Sequence, residues 1–422
     1  MSQASPSHPP VNRWLQLAIG VVCMVMIANL QYGWNLFVDP IDARFGWGRA
    51  AIQWAFAIFV FTETWLVPVE GWFVDRYGPK AVVMIGGVLV AIAWSLNSVA
   101  GSLPVLYFAA IVSGVGAGCV YGTCVGNALK WFADRRGLAA GLTAAGFGAG
   151  AALTVVPIRE VIGAFGYQSA FLWFGLGQGL VILVLSQFLK APRPGETKPA
   201  PRRLSQSARD FAWREVLSTP LFWVLYVMFV LVASGGLMAT AQLASIAMDF
   251  GVADTPVALL GITGTTLTVA LIVDNILNGV ARPFFGWVSD QIGREVTMAI
   301  AFTGGAFSMW ALSAYGQSPL LFILFAGMIY FTWGEIYSLF PAACTDAFGS
   351  RYATTNAGML YTAKGTAALL VPVANYVMSA SGSWELVFWI AAVMDAVAAA
   401  MALSVLKPMR AAHHARLARA AA

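Results

Sequence analysis

Long runs of apolar residues, separated by short polar breaks, recur along the whole chain. A helix needs about 20 apolar residues to cross the hydrocarbon core of a bilayer, and these runs have that length. The pattern therefore predicts an all-α membrane protein with twelve transmembrane helices. The predicted helices lie near residues 15–38, 51–73, 81–99, 105–128, 138–162, 168–190, 220–248, 258–288, 296–315, 319–344, 353–379 and 384–406.

One break in this pattern is longer and more polar than the others. Residues 191–219 contain four prolines and six Lys or Arg, which is typical of a solvated linker. The sequence thus predicts an N-terminal six-helix bundle (residues 1–190), a cytoplasmic linker (191–219), and a C-terminal six-helix bundle with a cytoplasmic tail (220–422).

The composition of the 422 residues agrees with a membrane location. Hydrophobic residues make up 59% of the chain and charged residues only 10%, against about 45–50% and about 25% in soluble domains. A mean hydropathy of +0.75 excludes a water-soluble enzyme and a soluble nucleic-acid-binding protein.

The positive charges are distributed unevenly between the two sides of the predicted bundle. The tails and the loops after even-numbered helices hold 19 of the 24 Lys and Arg, whereas the opposite loops hold three. Because cytoplasmic loops collect Lys and Arg, both termini are expected to be cytoplasmic, in a multi-pass protein of a bacterial inner (plasma) membrane. The first apolar run is too long for a cleaved signal and is interpreted as the first helix.

The residue types that form most metal and redox sites are poorly placed for such sites. The four cysteines lie inside apolar runs at spacings that fit neither a zinc site nor a redox pair, and the three histidines lie in the tails. No G-x-x-x-x-G-K-[ST] loop for ATP occurs, and no nucleophile with a paired base lies in the predicted helices. We therefore expect no metal, no cofactor and no enzymatic activity.

A motif of the first half returns in the second. GWFVDRYGPK at residues 71–80 matches GWVSDQIGRE at residues 286–295, at an offset of 215 residues. Two bundles related by duplication in the same orientation are expected to rock about a central cavity. In the fourth predicted helix, glycines at every fourth position from 114 to 126 predict a face that another helix can approach closely.

Two basic residues, Arg282 and Lys364, lie well inside predicted helices. A charge at the centre of a bilayer costs about 3 kcal/mol on insertion scales, so each cation is expected to face a cavity and to have a partner. The repeat places Val67 and Ala149 at the matching positions, so the cationic pair belongs to the second half alone. We predict that both cations bind one anionic ligand.

The alternative is that buried carboxylates neutralise these cations and that no ligand binds. Asp274 precedes Arg282 by eight residues, about 12 Å along a helix, which is too far for direct contact. Glu335 is predicted to lie off the helix face that carries the neighbouring aromatic residues, where it would neutralise Lys364 from behind or carry a proton. The candidate carboxylates are Glu63, Asp274, Glu335 and Asp395.

Polar and aromatic residues of several helices are further candidates for a ligand site. Together they predict a narrow cage that suits a small flat ligand with charged ends. The candidates are Gln31, Tyr32, Gln53 and Tyr121 in the first half, and Trp333, Tyr337 and Tyr361 in the second.

The twelve predicted helices, the duplicated G-x-x-x-D-[RQ]-x-G loop and the segment KWFADRRG at residues 130–137 resemble the major facilitator superfamily. The resemblance implies two pseudo-symmetric six-helix bundles and a secondary transporter that works by alternating access. It also implies that the duplicated loops hold neighbouring helix ends together, through Asp75 and Arg76 in the first loop and Asp290 and Arg294 in the second.

Longer segments resemble the oxalate:formate exchanger family. This resemblance implies that Arg282 and Lys364 bind the two carboxylates of oxalate, and that oxalate enters as formate leaves. Phe147 and Tyr361 stand where the family pattern has Tyr and Trp. The segments are NRWLQL at 12–17, QYGW at 31–34, RGLAAGLTAAG at 136–146, RPFFGWVSD at 282–290, FTWGEIYSLFP at 331–341 and YTAKGTA at 361–367.

Exchange is the expected mode of transport for such a site. Two cations and one dianion form a neutral complex, whereas the empty site would hold two uncompensated charges, and a dianion exchanged for a monoanion would move one charge per cycle. Two other functions stay open: a proton-coupled monocarboxylate symporter, in which Glu335 or Asp274 carries the proton, and a membrane anion sensor without transport. The expected partners are small carboxylates and lipid, without nucleic acid, and the protein is expected to be monomeric.

Overall fold

The computed structural model describes residues 11–193, 195–199, 205–207, 209–259 and 261–421. The helices of the first half are α1 (Arg13–Tyr32), α2 (Asn35–Phe45), α3 (Arg49–Trp65), α4 (Val67–Tyr77), α5 (Pro79–Val99), α6 (Leu103–Trp131) and α7 (Arg136–Ser186). Those of the second half are α8 (Trp213–Leu217), α9 (Pro220–Asp249), α10 (Thr266–Ile292), α11 (Arg294–Tyr315), α12 (Pro319–Trp333), α13 (Ile336–Phe348), α14 (Ala353–Ala368), α15 (Val371–Ser381), α16 (Glu385–Met401) and α17 (Lys407–Ala421). A hairpin of β1 (Pro256–Leu259) and β2 (Ile262–Thr265) precedes α10.

Most of the twelve predicted membrane spans correspond to helices that are long and apolar enough to cross a membrane. Within the described residues, nine helices are long and apolar enough to cross a membrane, and α3 with α4, bent by 42°, makes a tenth span. The 51-residue α7 contains two spans because Gly166, with a φ of 83°, breaks the helix. Residues 369 and 370 separate α14 from α15, and these two helices cover the eleventh predicted helix (353–379). The prediction of an all-α membrane fold is confirmed.

Several predicted helix boundaries are wrong. The segment predicted as the first helix (15–38) contains two helices: α1 ends at Tyr32 and α2 begins at Asn35. The eighth predicted helix begins at Thr266 rather than near residue 258, because the preceding apolar segment forms the β1–β2 hairpin. An apolar run this short fits a strand as well as a helix. The C-terminal tail is helical: it forms α17, which follows a π-helical turn at Ala402–Leu406.

We call the end of the bundle that carries α17 the terminal face, and linker residues 206 and 207 pack on it. Gln206 Nε2 donates to the Ala133 carbonyl at 2.8 Å. The backbone N–H of Ser207 donates to the Asp346 carbonyl at 2.8 Å. Residues 206 and 207 thus contact both halves, while residues 195, 198 and 199 are exposed. Residues 194, 200–204 and 208 lie outside the described residues.

The glycine face of α6 allows other helices to approach closely, as predicted. Gly118 packs against Glu70 of α4, and a Cβ at this position would lie 2.5 Å from the Glu70 carboxylate. Gly126 packs against Thr354 of α14 in the same way. Because these glycines lack side chains, α4 and α14 pack closely against α6.

Candidate functional site

Arg282 is held near the middle of the molecule by neutral groups. Its helix α10 contains Pro283, and its guanidinium is only 1% exposed. The Nη1 group donates to the Ala144 carbonyl at 2.6 Å, and Nη2 donates to Asn278 Oδ1 at 2.8 Å. Within the described residues no carboxylate lies within 4.0 Å of Arg282, and its Nε has no hydrogen-bond partner. The positive charge of Arg282 therefore has no acidic neighbour to neutralise it.

Lys364, in contrast, has an acidic partner from the other half of the chain. Its Nζ lies 3.4 Å from Glu63 Oε2 of α3 and donates to the Tyr361 hydroxyl at 2.9 Å. The Tyr361 hydroxyl donates to Glu63 Oε1 at 3.2 Å, and the three side chains form a closed buried triad. The predicted neutralisation of Lys364 by Glu335 is wrong, because Glu63 approaches from α3 instead.

The two cations approach the same aromatic ring. The guanidinium carbon of Arg282 lies 4.7 Å from the centre of the Tyr337 ring, and Lys364 Nζ lies 5.9 Å from it. Tyr337 is on α13, so three helices of the second half bring Arg282, Tyr337 and Lys364 together. The face of an aromatic ring attracts cations although the ring is uncharged. The Tyr337 ring can therefore stabilise both cations without neutralising either.

Aromatic residues of both halves surround this arrangement. Tyr121 stacks on Tyr361 at 4.8 Å between ring centres, and it meets Phe147 edge-on at 5.5 Å. Tyr32 lies 5.3 Å from Phe147, and its hydroxyl interacts with the Arg282 guanidinium. On the other side, Trp333 packs edge-on against Tyr337 at 5.6 Å. The aromatic side chains named in the sequence analysis are thus brought together, and Phe147 joins them.

Two polar residues that were predicted to bind the ligand, Gln53 and Gln31, make no described hydrogen bond to the cations. Gln53 is exposed and donates to Asn35 Oδ1 at 3.3 Å. Gln31 Oε1 is buried and has no hydrogen-bond partner in the described part of the chain. No described hydrogen bond joins either glutamine to Arg282 or Lys364.

The predicted acidic candidates of the second half are buried away from the cations. Both carboxylate oxygens of Asp274 lack hydrogen-bond partners within the described residues, and so do those of Glu335. Glu335 faces Asp395 of α16 rather than Lys364, which agrees with its predicted position off the aromatic face. The structure therefore joins Glu63 to the cation pair, and neither Asp274 nor Glu335 forms an ion pair with it.

The loop residues predicted to hold helix ends together lie at the terminal face. Asp75 is 2.6 Å from Lys130 Nζ, and it accepts hydrogen bonds from the backbone N–H of Thr355 at 2.8 Å and its hydroxyl at 2.6 Å. Because Thr355 lies in the first turn of α14, this contact connects the two halves. Arg76 makes no such connection among the described residues; its guanidinium lies over Trp72 at 5.3 Å.

The second loop makes a larger connection. Asp290 accepts from the backbone N–H of Gly137 at 3.1 Å and from Arg294 at 2.7 Å. Arg294 also donates to Asp346 Oδ2 at 3.0 Å, and Arg136 of the first half donates to Asp346 Oδ1 at 2.7 Å. We refer to the Asp75 group as the α4–α14 latch and to the Asp290 and Asp346 group as the α7–α10 latch.

Sequence reasoning missed three of these residues. Asn278 lies one helical turn before Arg282, so its position on the same helix face was readable from the spacing. Asp346 and Thr355 carry no comparable signal, because each acts across an interface between distant segments. The separation is 210 residues for the Arg136–Asp346 bond and 280 for the Asp75–Thr355 bond.

Polar residues on the side opposite the terminal face are exposed. They include Gln53, Tyr32 and Asn275, and Asn275 lies seven residues before Arg282 on α10. Tyr32 ends α1 and Gln53 lies in the first turns of α3 on this side. The latches hold the terminal face closed.

Comparison with known proteins identifies the family of the chain. A sequence model of the Major Facilitator Superfamily matches residues 17–276 and 256–421, and these two matches cover nearly the whole chain. The chain belongs to the major facilitator superfamily. Membership in this superfamily makes the protein an integral, multi-pass membrane transporter, and the prediction that it is not an enzyme is confirmed.

Individual members of the superfamily resemble the chain over most of its length. An oxalate:formate antiporter of Oxalobacter formigenes is 34% identical over 401 residues, which are 94% of this chain and 92% of that protein. Monocarboxylate transporter 11 of Homo sapiens is 26% identical over 364 residues, 77% of this chain and 72% of that protein. The solved structure of the proton:xylose symporter XylE has a TM-score of 0.69 at 14% identity and covers 93% of this chain and 96% of its own, which shows the superfamily fold alone.

Proposed function

We propose that this superfamily member exchanges small carboxylate anions across a bacterial inner membrane by alternating access, with external oxalate exchanged for internal formate. The observation that carries the proposal is the pairing of two buried cations, Arg282 and Lys364, around one Tyr337 ring. Buried cations at this depth are unfavourable unless an anion or a polar cavity compensates them.

The two cations differ in the contacts that they offer a carboxylate. Arg282 presents a planar fork that matches a carboxylate with two parallel hydrogen bonds, and its existing partners are a carbonyl and an amide rather than an acid. Lys364 presents a single compact charge. Oxalate is flat and has a carboxylate at each end, so one end suits the fork and the other suits the ammonium.

The comparisons support the substrate class, and the distribution of charge supports the direction. The name of the Oxalobacter formigenes relative, an oxalate:formate antiporter, agrees with a site for small carboxylates. The excess of Lys and Arg on the terminal side favours a cytoplasmic terminal face and cytoplasmic termini. The closed latches then correspond to a site approached from outside the cell.

Counterflow in proteoliposomes tests the proposal. Vesicles loaded with unlabelled formate are expected to take up labelled oxalate without a pH gradient, and empty vesicles are expected to take up little. We expect Arg282→Gln and Lys364→Gln each to lower uptake at least tenfold, because each leaves one carboxylate of the dianion unpaired in a buried site. The control is Arg159→Gln, which removes an exposed cation. Uptake that survives both site substitutions would contradict the proposed site.

Proton-coupled monocarboxylate symport is the second candidate function. It is favoured by the Glu63–Lys364 pair, which leaves Arg282 as the cation without an acidic neighbour among the described residues. Symport requires a pH gradient and proceeds without internal anion, whereas exchange requires internal anion. The same vesicles therefore distinguish the two candidates, and binding without any uptake would indicate a sensor.

A further inference from the structure

Glu63 changes the charge of the candidate site. Its side chain is fully buried, and it lies against Lys364 at 3.4 Å. With Arg282 and Lys364 protonated and Glu63 ionised, the three charges sum to one positive charge instead of two. A monoanion such as formate neutralises this site completely, whereas a dianion such as oxalate leaves one negative charge in excess.

The contacts of Lys364 allow it to leave Glu63 without losing every partner. The Glu63 contact, at 3.4 Å, is longer than an ordinary charged hydrogen bond, while the Tyr361 hydroxyl holds the same ammonium at 2.9 Å. A substrate carboxylate that reaches Lys364 would take the place of Glu63 Oε2. Tyr361 donates to Glu63 Oε1 and would continue to hold the displaced carboxyl group.

The surroundings of Glu63 favour a neutral acid once Lys364 is gone. On α14 the neighbouring ionisable groups are Lys364 and Tyr361, and the phenols of α6 and α13 carry no charge at neutral pH. The buried carboxyl group of Glu70 on α4 also faces Glu63, and a buried charge without a partner is unfavourable. The ionisable groups that face Glu63 are therefore Lys364, Tyr361, Tyr121, Tyr337 and Glu70.

We propose that Glu63 takes up a proton when a dicarboxylate binds and releases it when a monocarboxylate replaces the dicarboxylate. This inference rests on the proposed exchange function and assigns its charge balance. In the oxalate-bound state, the dianion pairs with both cations and Glu63 is protonated. In the formate-bound state, the monoanion pairs with Arg282 and ionised Glu63 pairs with Lys364. Both loaded states are neutral.

The exchange becomes electroneutral as a consequence. One oxalate dianion and one proton move inward, with a net charge of minus one, and one formate moves outward with the same charge. Without Glu63 the cycle would move one charge, and a membrane potential of 100 mV would change the equilibrium distribution of oxalate about 50-fold. With Glu63 the potential has no effect, and a pH difference of one unit changes the distribution up to about tenfold.

Reconstituted vesicles separate these two behaviours. The parent protein is reconstituted with formate inside, and a potassium gradient with valinomycin sets the potential to 0 or 100 mV at equal pH. We expect the oxalate distribution of the parent to be unchanged by potential and to rise as the external pH is lowered by one unit. We expect Glu63→Gln to behave in the opposite way. Its oxalate distribution should change about 50-fold when the potential is set to 100 mV, and it should not change with external pH.

The matched control is Glu70→Gln, which removes another buried carboxylate from the same helix pair without removing a contact to Lys364. It is expected to behave like the parent. A parent that follows the potential overturns the inference, as does a Glu63→Gln variant that stays insensitive to it; the parent measurement decides the question even where the variant does not insert. Absence of any oxalate–formate exchange by the parent would instead overturn the proposed function, and the inference with it.

Discussion

The guanidinium of Arg282 lies 4.7 Å from the centre of the Tyr337 ring, so the ring takes part in holding a buried cation that has no acidic neighbour within the described residues. A cation over an aromatic face is stabilised by about 0.5–2 kcal/mol. The same ring lies 5.9 Å from Lys364. Its removal is therefore expected to affect both ends of a bound dicarboxylate.

Substitution of Tyr337 tests this relationship. We expect Tyr337→Leu to weaken oxalate binding about 2- to 30-fold, because the ring face is lost while apolar volume is largely kept. Tyr337→Phe keeps the face and is the control, with binding expected to stay within about threefold of the parent. Competition by unlabelled oxalate in the counterflow assay gives the affinities. Equal losses in both variants would assign the effect to the hydroxyl instead of the ring.

Asn278 offers a test of the neutral surroundings of Arg282. Its Oδ1 accepts from Nη2 at 2.8 Å, so Asn278→Asp would place a carboxylate directly on the guanidinium. We expect oxalate uptake to fall about 10- to 150-fold, because the new carboxylate competes with the substrate for the same hydrogen bonds.

The matched control for this change is Asn275→Asp, three residues earlier on α10. Asn275 is exposed, and its amide donates to the Leu271 carbonyl at 2.7 Å rather than to Arg282. Uptake by this variant is expected to change little. If both aspartates lower uptake equally, the loss reflects added negative charge near the site and not competition for Arg282.

Asp346 is expected to control the closure of the terminal face. It is fully buried and accepts from Arg136 of the first half and Arg294 of the second. Removal of one member of a buried charge network costs about 3–5 kcal/mol. We therefore expect Asp346→Asn to shift the protein toward a state in which the terminal face is open.

Distances between spin labels on the terminal ends of α4 and α14 measure this shift. The control is Asp134→Asn, because Asp134 pairs at 2.5 Å with Arg13 of its own half and its loss leaves the interface between halves intact. A distance distribution of Asp346→Asn that matches both the parent and the control would contradict the assigned role.

Gly71 makes a second test of closure that involves no charge. A Cβ at Gly71 would lie 2.8 Å from the backbone carbonyl carbon of Thr354, closer than packed atoms tolerate. We expect Gly71→Ala to disfavour the closed terminal face by about 1–3 kcal/mol, because overpacking forces the helices apart. Gly101→Ala is the control, since nothing lies within 4 Å of the added atom. The same label distances report the outcome, and an unchanged distribution for Gly71→Ala would show that the backbones relax instead.

The fold was largely predictable because membrane spans are long and uniformly apolar. The errors lie where apolarity does not determine the element, as in the segment before Thr266, which pairs as a hairpin although its composition also fits a helix. The approach of Arg282 and Lys364 to one site was predictable from their depth and from the cost of burying charge.

The partner of Lys364 was not predictable to the same degree. Glu63 was among four candidate acids, and its contact joins residues 301 positions apart in the chain. Helix periodicity orders side chains around one helix, but it carries no information about which helix of the other half lies opposite. The same limit applies to Asp346, whose partners come from two different helices.

The two latches differ although the loops that carry them are copies of one motif. The α4–α14 latch has a single ion pair whose lysine is 13% exposed, whereas the α7–α10 latch has three ion pairs around Asp290 and Asp346 that are almost fully shielded from water. Water and ions can therefore compete for the first latch before they reach the second. We expect the α4–α14 latch to open before the α7–α10 latch. The pathway to the terminal side would then form first between α4 and α14 and widen by rotation of the two halves about the α7–α10 contacts.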